Sequence, residues 1–427
     1  MCRSCHKVAL CAFSVAFLCL RTEGGRLTPE TQNVLDNLKA VAVSPRVIYS
    51  WCEDWQPDDP ADRGRTAPCI SASGGRETLV YNTELYRVTG AYRTADYYGK
   101  GRARTLALVK RLYRERKAIA VFAWHPENPY LPNAKPQKGD GWNAASPYNY
   151  NYKCKGCPPE DRYVIRDILS ATNRPCLAGR YPSPRVWFDE RLGELASFFR
   201  DLKDDDGRPI PCGFRLWHEC EDDWMWWGKG SVSRDDYVAF FRYTVIRLRE
   251  LTDGGRNILF GYCTDKNWKT LEDPASPRDW QYRYPGDDVV DIVGLDDYTF
   301  GKWPKLKTDH EKFDLDHPDP YGDMEEKLGK SIGRLRLVSA FAAAHGKACA
   351  MFETGFKPNP PGTKDAFCSF LSRALSADGV HVAFVNTWIS SILPKSEPGL
   401  ADWKAFIASP TVLMGDSGLD LTRPVVK

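Results

Sequence analysis

The chain has 427 residues, a length that fits one large α/β barrel or two domains of average size. Its 59 basic and 56 acidic residues nearly cancel. Because no Lys/Arg-rich run interleaved with aromatic residues accompanies this balance, the composition excludes nucleic acid as an expected partner.

The first residues have the features of a secretory signal peptide. Arg3 and Lys7 precede an apolar run at 8–20, and small residues follow at 24 and 25. This run is short for a bilayer span, and no second run of spanning length follows. We therefore predict a signal peptide over 1–24 and a secreted, extracellular protein without a membrane partner after cleavage. A retained membrane anchor or a lipoprotein is the alternative.

The cysteine content favours disulfide bonds. Four of the 14 cysteines lie in the predicted signal peptide, which leaves ten, an even number typical of disulfide-bonded secreted proteins. Cys154 and Cys157 also have the spacing of a redox motif or half a zinc site, but no matching second pair follows. We expect structural disulfides, whose pairing the spacing leaves open.

Short apolar segments with β-forming residues recur along the chain, and helical patterns with apolar residues at three- and four-residue spacing lie between several of them. In chain order, the predicted strands are 47–51, 78–81, 118–124, 214–217, 258–262, 289–295, 348–352 and 382–388. The predicted helices are 106–113, 190–202, 234–251, 324–345 and 364–375.

Eight strands alternating with helices are typical of the α/β class and of a single (β/α)8 TIM barrel. Each strand–helix unit averages about 49 residues, more than a minimal barrel needs, so we predict extended βα loops. The plainest insertion is 126–185, dense in Tyr, Asn and Pro. Because no linker or repeat divides the chain, we assign 25–420 to one catalytic domain and 421–427 to a C-terminal tail.

The carboxyl ends of the predicted strands carry the candidate site. In a β/α barrel the chemistry lies at these ends, so the residue types found there point to function. Polar and aromatic residues end five of the strands: His125 the third, His218 and Glu219 the fourth, Asp296 and Tyr298 the sixth, Glu353 the seventh and Trp388 the eighth.

Two of these residues, Glu219 and Glu353, lie three βα units apart and therefore face each other across one barrel mouth. Hydrolysis of a glycosidic bond with retention needs two carboxyls about 5 Å apart, one to attack the anomeric carbon and one to protonate the departing oxygen. Aromatic side chains are the second requirement of a sugar site, because pyranose rings stack on indoles. We assign Trp224 and Trp388 to such a cleft. Trp226 and Trp227 either line the cleft as well or fill a helix-to-barrel interface.

The same positions resemble a known family. In chain order, Trp217-His218-Glu219, the following Trp-x-Trp-Trp-Gly, the segment 284–296, Glu353-Thr354-Gly355 and Trp388 are similar to the motifs of glycoside hydrolase family 26, best known for β-mannanases. The similarity runs from about the first predicted strand to the eighth.

This resemblance implies a role for each matching position. Glu219 would be the general acid/base and Glu353 the nucleophile of a retaining mechanism, while Tyr298 is similar to the tyrosine that hydrogen-bonds the nucleophile. The remaining positions are similar to residues around the sugar at the cleavage point or, for His218, to the histidine before the acid/base: His125, His218, Trp224, Asp296 and Trp388.

Two positions depart from the family pattern. Mannanase-type members have an Asn- and Gly-containing turn after the acid/base, where this chain has Cys220-Glu221-Asp222-Asp223. Ile389 stands where many mannanases have an arginine. The added carboxylates form either a solvated loop, the interpretation we favour, or contacts to unusual sugars.

These features favour a secreted, endo-acting β-1,4-mannanase, a monomer that acts on a polysaccharide or oligosaccharide and needs no metal or organic cofactor. Within the same family, β-1,3-xylan or mixed-linkage β-glucan is the alternative substrate. A carbohydrate-binding protein without turnover is less favoured, because both Glu219 and Glu353 are present. A metalloenzyme using His125, His218 and Glu219 is less favoured still, because no His-x-x-x-His pair or Cys/His set accompanies them.

Overall fold

The structure is a computed structural model that describes residues 27–51, 66–90, 95–130, 163–221, 225–229, 231–265, 280–299, 324–355, 367–388 and 399–425. This part of the chain contains the strands β1 (Val47–Trp51), β2 (Val80–Glu84), β3 (Ile119–Ala123), β4 (Cys212–Leu216), β5 (Ile258–Thr264), β6 (Ile292–Asp296), β7 (Ala348–Thr354), β8 (Phe384–Thr387) and β9 (Val412–Leu413). Its helices are α1 (Pro29–Ala42), α2 (Thr66–Ala72), α3 (Ala95–Arg116), α4 (Val164–Leu169), α5 (Pro184–Asp201), α6 (Arg234–Leu251), α7 (Met324–Ala344), α8 (Phe367–Leu375) and α9 (Gly399–Ala408). No described helix combines the length and the apolar composition that crossing a bilayer requires.

The strands form one parallel sheet in the order β2-β3-β4-β5-β6-β7-β8-β1-β9. Strands β2 to β8 therefore follow one another in chain order. β1 pairs with β8 and also lies against β2, which completes the circle. Helices cover the outside, as α3 does on β3 and α7 on β6 and β7. The predicted α/β class and (β/α)8 barrel are confirmed, and predicted and observed strand ends differ by at most three residues.

The ninth strand lies at the seam between β1 and β2. Its Val412 and Leu413 pair with Val47 and Ile48 of β1. Just beyond it, the Gly415 N–H donates to the carbonyl oxygen of Glu77, which lies shortly before β2. A strand of two residues is too short to show an alternation of apolar and polar residues, so the sequence did not predict it.

α1 lies against β1, β5 and β7 and was not predicted. Its start is encoded locally, because the Thr28 hydroxyl caps the first turn and Pro29 occupies a position where no backbone donor is needed. The Asn37 amide donates to the carbonyl oxygen of Leu421, a fully buried residue. Residues 421–423, which lie in the segment assigned above to a tail, thus accept hydrogen bonds from this helix.

A register shift in β7 directs two consecutive side chains into the barrel. The ladder to β8 shifts between Met351 and Thr354. In a regular strand neighbouring side chains point to opposite faces, whereas a bulge re-aims one of them. Phe352 and Glu353 consequently both approach Arg215 in the barrel interior.

The cysteines that are fully described are thiols rather than disulfides. Five of them are free and buried: Cys176, Cys212, Cys220, Cys263 and Cys349. The predicted disulfide framework is wrong for these five, while the cysteines at 52, 154 and 157 lie outside the described residues. An even number of cysteines does not by itself indicate disulfide bonds, because a buried cysteine also packs as a small apolar residue. Burial raises the pKa of the Cys349 thiol to about 12, which keeps it protonated.

Phe352 fills a space that two glycines leave open beneath the strand ends. A Cβ on Gly294 would lie 2.2 Å from the Ala350 carbonyl oxygen and 2.6 Å from the Phe352 ring, and a Cβ on Gly261 would lie 3.1 Å from the same ring. No side chain larger than hydrogen fits at position 294 without displacement of its neighbours.

Gly294→Ala should therefore destabilise the protein by about 1–3 kcal/mol, the usual cost of overpacking a core. Gly329→Ala is the matched control, because this exposed glycine of α7 has nothing within 4 Å of its Cβ position. Alanine there should stabilise the helix by up to about 1 kcal/mol. Urea denaturation measures both effects, and equal stability of the two variants would contradict the packing described for Phe352.

Candidate active site

Glu353 lies at the carboxyl end of the barrel with both of its oxygens occupied. Its Oε1 accepts a hydrogen bond from the Arg215 guanidinium, and its Oε2 accepts one from the Tyr298 hydroxyl at 2.8 Å. The side chain is buried. The carboxylate is therefore fixed in orientation by one charged and one neutral donor, which come from β4 and from the end of β6.

Arg215 is fully buried and joins two carboxylates. Its Nη1 lies 2.8 Å from both oxygens of Asp296, while Nη2 donates to Glu353. The Phe352 and Trp388 rings lie 5.7 and 5.6 Å from the guanidinium carbon. Although burial lowers it, the pKa of Arg215 is raised well above its usual value by the two carboxylates. The guanidinium is therefore a permanent cation at the centre of the site.

Asp296 and its neighbour Asp297 point in different directions. The Cys263 thiol donates to Asp296 Oδ1 at 3.1 Å, inside the barrel. Burial raises the pKa of Asp296 well above its usual value, an effect that the Arg215 charge opposes. Asp297 instead accepts hydrogen bonds from Ser331 and Arg334 of α7. Only the first of the two aspartates belongs to the site.

Glu219 follows β4 in a strained turn. Trp217 and Glu219 have φ angles of +46° and +54°, in the left-handed region that costs a non-glycine residue about 1–3 kcal/mol. The Glu219 N–H donates to the Cys263 carbonyl at 3.2 Å. The pKa of the Tyr298 hydroxyl is raised well above its usual value by burial and by nearby negative charges, which include both Glu353 and Glu219. Of the two glutamates, Glu353 is the one that forms a hydrogen bond with this tyrosine.

Two histidines lie edge to face beside the carboxylates. The ring centroids of His125 and His218 are 4.6 Å apart and the rings meet at 89°. His125 Nδ1 lies 2.9 Å from Oε1 of Glu84, at the end of β2. Burial, the Arg215 charge and the neighbouring histidine hold the pKa of His218 well below its usual range. His218 is consequently neutral at neutral pH.

The tryptophans divide into one near the site and two in the interior. Trp388 is partly exposed and lies over the buried guanidinium. Trp226 and Trp227 are buried and pack against Trp217. Of the two alternatives left open for this pair, the structure therefore supports the interface. Trp224 and Ile389 lie outside the described residues.

The acidic segment after Glu219 is not simply a solvated loop. Glu221 Oε1 lies 3.2 Å from Arg283 Nε, and the two side chains are only 12% and 5% exposed. The favoured interpretation is therefore wrong for Glu221, which forms a buried ion pair. Asp222 and Asp223 lie outside the described residues.

Three side chains have the spacing of a metal site. One ligand atom each from His218, Asp296 and Glu353 lies within 4.8 Å of the other two. Arg215 already donates to both carboxylates, so the positive charge that a metal ion would supply is in place. A metal ion there would compete with the buried Arg215 guanidinium for the same two carboxylates. The donor set therefore fits an Arg–carboxylate cluster better than it fits a metal ion.

Part of the chain that contains site residues is similar to a known protein family. Residues 186–311, which include Glu219 and Asp296, match the model of glycosyl hydrolase family 26. Over this segment the chain is similar to that family. A member designated GH26C from a Muricauda species has the same fold, with a TM-score of 0.71 and 21% identity over 93% of this chain and 95% of that one. A modular endo-β-1,4-mannanase from Cellulomonas fimi, at 19% identity over 93% of this chain and 78% of its own, has a TM-score of 0.69.

The matches to curated relatives cover only part of those proteins. A mannan endo-1,4-β-mannosidase of Bifidobacterium adolescentis is 28% identical over 275 residues, which cover 60% of this chain and 25% of the relative. A protein of the same name from Bacillus subtilis is 30% identical over 117 residues, or 26% of this chain and 29% of the relative. The chain thus spans about a quarter of the length of the curated relatives it matches.

Three residues that contact the predicted site residues were not themselves predicted from the sequence. Arg215 carried a signal, because a charged residue inside an apolar strand requires a buried partner. Glu84 lay beyond the predicted end of the second strand. Cys263 was counted among the disulfide candidates, and the sequence contained no signal for its contact with Asp296.

Arg215→Met should destabilise the protein by about 3–5 kcal/mol, because it leaves two buried carboxylates facing each other without a cation. Arg373→Met is the control, since Arg373 pairs with Glu325 where the side chains are 53% and 71% exposed. Loss of that exposed pair should cost about 1 kcal/mol or less. Denaturant unfolding at neutral pH compares the two, and similar losses would show that the carboxylates do not depend on Arg215.

His218→Asn should change how stability depends on pH. As pH falls through about 6.5, the unfolded parent chain binds a proton at His218, whereas the folded chain with its lowered pKa does not. The parent should therefore lose up to about 1.4 kcal/mol of stability per pH unit through this residue in acid, and the variant should not. Urea unfolding across this range measures the difference between the two proteins. A difference that stays constant at every pH would contradict a neutral His218.

Proposed function

We propose that this protein is a retaining, endo-acting glycoside hydrolase that cleaves β-1,4-mannan-type polysaccharide by double displacement. The observation that carries the proposal is the Glu353 carboxylate, held between Arg215 and Tyr298, with Glu219 just beyond the end of β4, the strand that carries Arg215. The activity after which two relatives are named, hydrolysis of mannan, supports mannan as the substrate.

In the first step, Glu353 is the nucleophile and Glu219 the general acid. A Glu353 oxygen forms a bond to the anomeric carbon as the glycosidic C–O bond breaks, and the Glu219 proton passes to the departing oxygen. The donors on Glu353 keep its attacking oxygen oriented, so the reaction needs little reorganisation of the carboxylate. Strand ends and the β7 bulge supply the rigidity for this geometry.

In the second step, Glu219 becomes the base. Once the glycosyl ester has formed, the negative charge of Glu353 is gone, which favours ionisation of Glu219. Glu219 then accepts a proton from water as the water oxygen attacks the anomeric carbon, and the Glu353 carboxylate is released. One pair of carboxyls thus serves both half-reactions.

The sugar at the cleavage point would lie among polar and aromatic side chains at the strand ends and in the segment after Glu219. A neutral His218 can hydrogen-bond a sugar hydroxyl without placing a charge beside it. The Trp388 ring offers a face on which a pyranose can stack. The residues that we assign to this subsite are His125, His218, Trp224, Asp296 and Trp388.

We place this activity outside the cell, in one monomeric catalytic domain over 25–420. The apolar run at 8–20, with basic residues before it, supports export. The single sheet that continues from β2 to β9 supports one domain rather than two. No organic cofactor is needed, because two carboxyls suffice for the reaction.

The test combines two variants with a panel of substrates. Glu353→Ala should abolish turnover while leaving oligosaccharide binding largely intact, because the nucleophile contributes mainly to the transition state. Glu219→Ala should reduce mannan hydrolysis by about 10²- to 10⁴-fold, the usual contribution of a general acid. It should affect aryl β-mannosides with good leaving groups much less, and azide should restore its second step.

Glu325→Ala, at an exposed position of α7, is the control and should retain parent activity. Reducing-end release is measured on mannan, glucomannan, β-1,3-xylan and lichenan. Cleavage of β-1,3-xylan or lichenan alone would show that this polysaccharide, and not mannan, is the substrate. Tight binding without cleavage of any of the four would replace the hydrolase by a carbohydrate-binding protein, and a Glu353→Ala variant within tenfold of the parent would remove the nucleophile assignment.

A further inference from the structure

The strained turn that carries Glu219 is held by side chains from outside it. The carbonyl oxygen of Trp217, a residue in the left-handed region, accepts a hydrogen bond from the Tyr237 hydroxyl at 2.9 Å. Tyr237 lies on the first turn of α6 and is fully buried. A buried tyrosine from the following helix thus fixes a backbone group two residues before Glu219.

The next backbone groups of the turn are fixed as well. Trp227 Nε1 donates to the His218 carbonyl at 2.8 Å, and the Glu219 N–H donates to the Cys263 carbonyl. The Cys220 side chain, next along the chain, is fully buried. The backbone groups of residues 217, 218 and 219 therefore each form a hydrogen bond with a part of the chain outside the turn.

The Glu221–Arg283 ion pair closes the turn on its far side. Arg283 Nη2 also donates to the Val232 carbonyl at 3.1 Å, directly before α6. Its guanidinium carbon lies 5.5 Å from the centroid of the Tyr237 ring, a distance at which a cation and an aromatic face attract. The ion pair and the tyrosine therefore pack against each other and hold the turn from two sides.

Left-handed backbone at two non-glycine positions persists only where the surroundings over-determine it. We propose that Tyr237, Glu221 and Arg283, which we call the acid/base brace, position the Glu219 carboxyl for proton transfer. This inference rests on the proposed function of Glu219. It gives a role to Glu221, one of the residues at which the chain departs from the family pattern.

The first test is Tyr237→Phe, which removes one hydroxyl and little volume. It should lower kcat/KM on mannan by about 10- to 100-fold, because a displaced general acid loses much of its contribution. On 2,4-dinitrophenyl β-mannoside, whose leaving group needs little protonation, the loss should be about threefold or less. Tyr243→Phe is the matched control, because Tyr243 lies on the same helix but its hydroxyl donates to Asp189 of α5. The control should change neither rate.

The second test removes the ion pair. The double variant Glu221→Gln/Arg283→Met takes away both charges and so avoids leaving one buried alone. It should show the same selective loss on mannan, and Arg283→Lys, which keeps the positive charge, should restore part of it. Equal losses on both substrates, or no loss on mannan, would overturn the positioning role. If the double variant fails to fold, Tyr237→Phe alone decides between these results.

Crystal structures of the parent, Tyr237→Phe and the double variant provide a measurement that does not depend on turnover. The brace predicts that each variant shifts the Glu219 carboxyl by about 1 Å or more, or moves position 217 or 219 out of the left-handed region. Unchanged φ angles and carboxyl positions in both variants would refute the brace, whatever the activity. A parent that cleaves no glycoside would instead refute the proposed function, and the crystal structures would still decide whether the brace holds the turn.

Discussion

The Arg215 guanidinium, fully buried between Asp296 and Glu353, is the interaction around which the barrel mouth is organised. Burying a cation and two carboxylates is costly, and such clusters rarely add net stability over an apolar core. Their geometry is nevertheless well defined, because the planar guanidinium donates in fixed directions. The cluster therefore sets the orientation of Glu353 relative to the end of β6. The glycines at 261 and 294 leave space for the Phe352 ring next to the guanidinium.

Two departures from regular backbone bring the glutamates to this cluster. The register shift in β7 turns Glu353 inward although its neighbour Phe352 also faces the interior. The left-handed turn after β4 carries Glu219 at the carboxyl end of that strand. Both deviations lie where strands end, and both are compensated by buried hydrogen bonds. A regular barrel with ideal strands would present these side chains differently, so the strain is part of how the site is built.

Charge at the site is compensated locally rather than by the molecule as a whole. Arg215 forms ion pairs with Asp296 and Glu353, while Arg283 forms one with Glu221. His218 contributes no charge near neutral pH. A site that binds an uncharged polysaccharide gains from this arrangement, because excess charge would have to be desolvated when the substrate arrives. In the mechanism proposed above, Glu219 and Glu353 are the reacting carboxyls within this surrounding.

The sequence by itself determined the barrel, because apolar runs of four to seven residues alternating with helical patterns leave few other folds. It also determined which strand ends are polar, and with the family motifs it identified Glu219, Glu353 and Tyr298 as one group. The tertiary structure alone decided that Arg215 joins two carboxylates, that Glu221 is paired with Arg283 and that five cysteines remain thiols. It also decided that β9 lies at the seam of the sheet. The reason is physical: strand and helix periods are local properties of the chain, whereas these contacts join residues from different strands, whose approach depends on register, bulges and barrel closure.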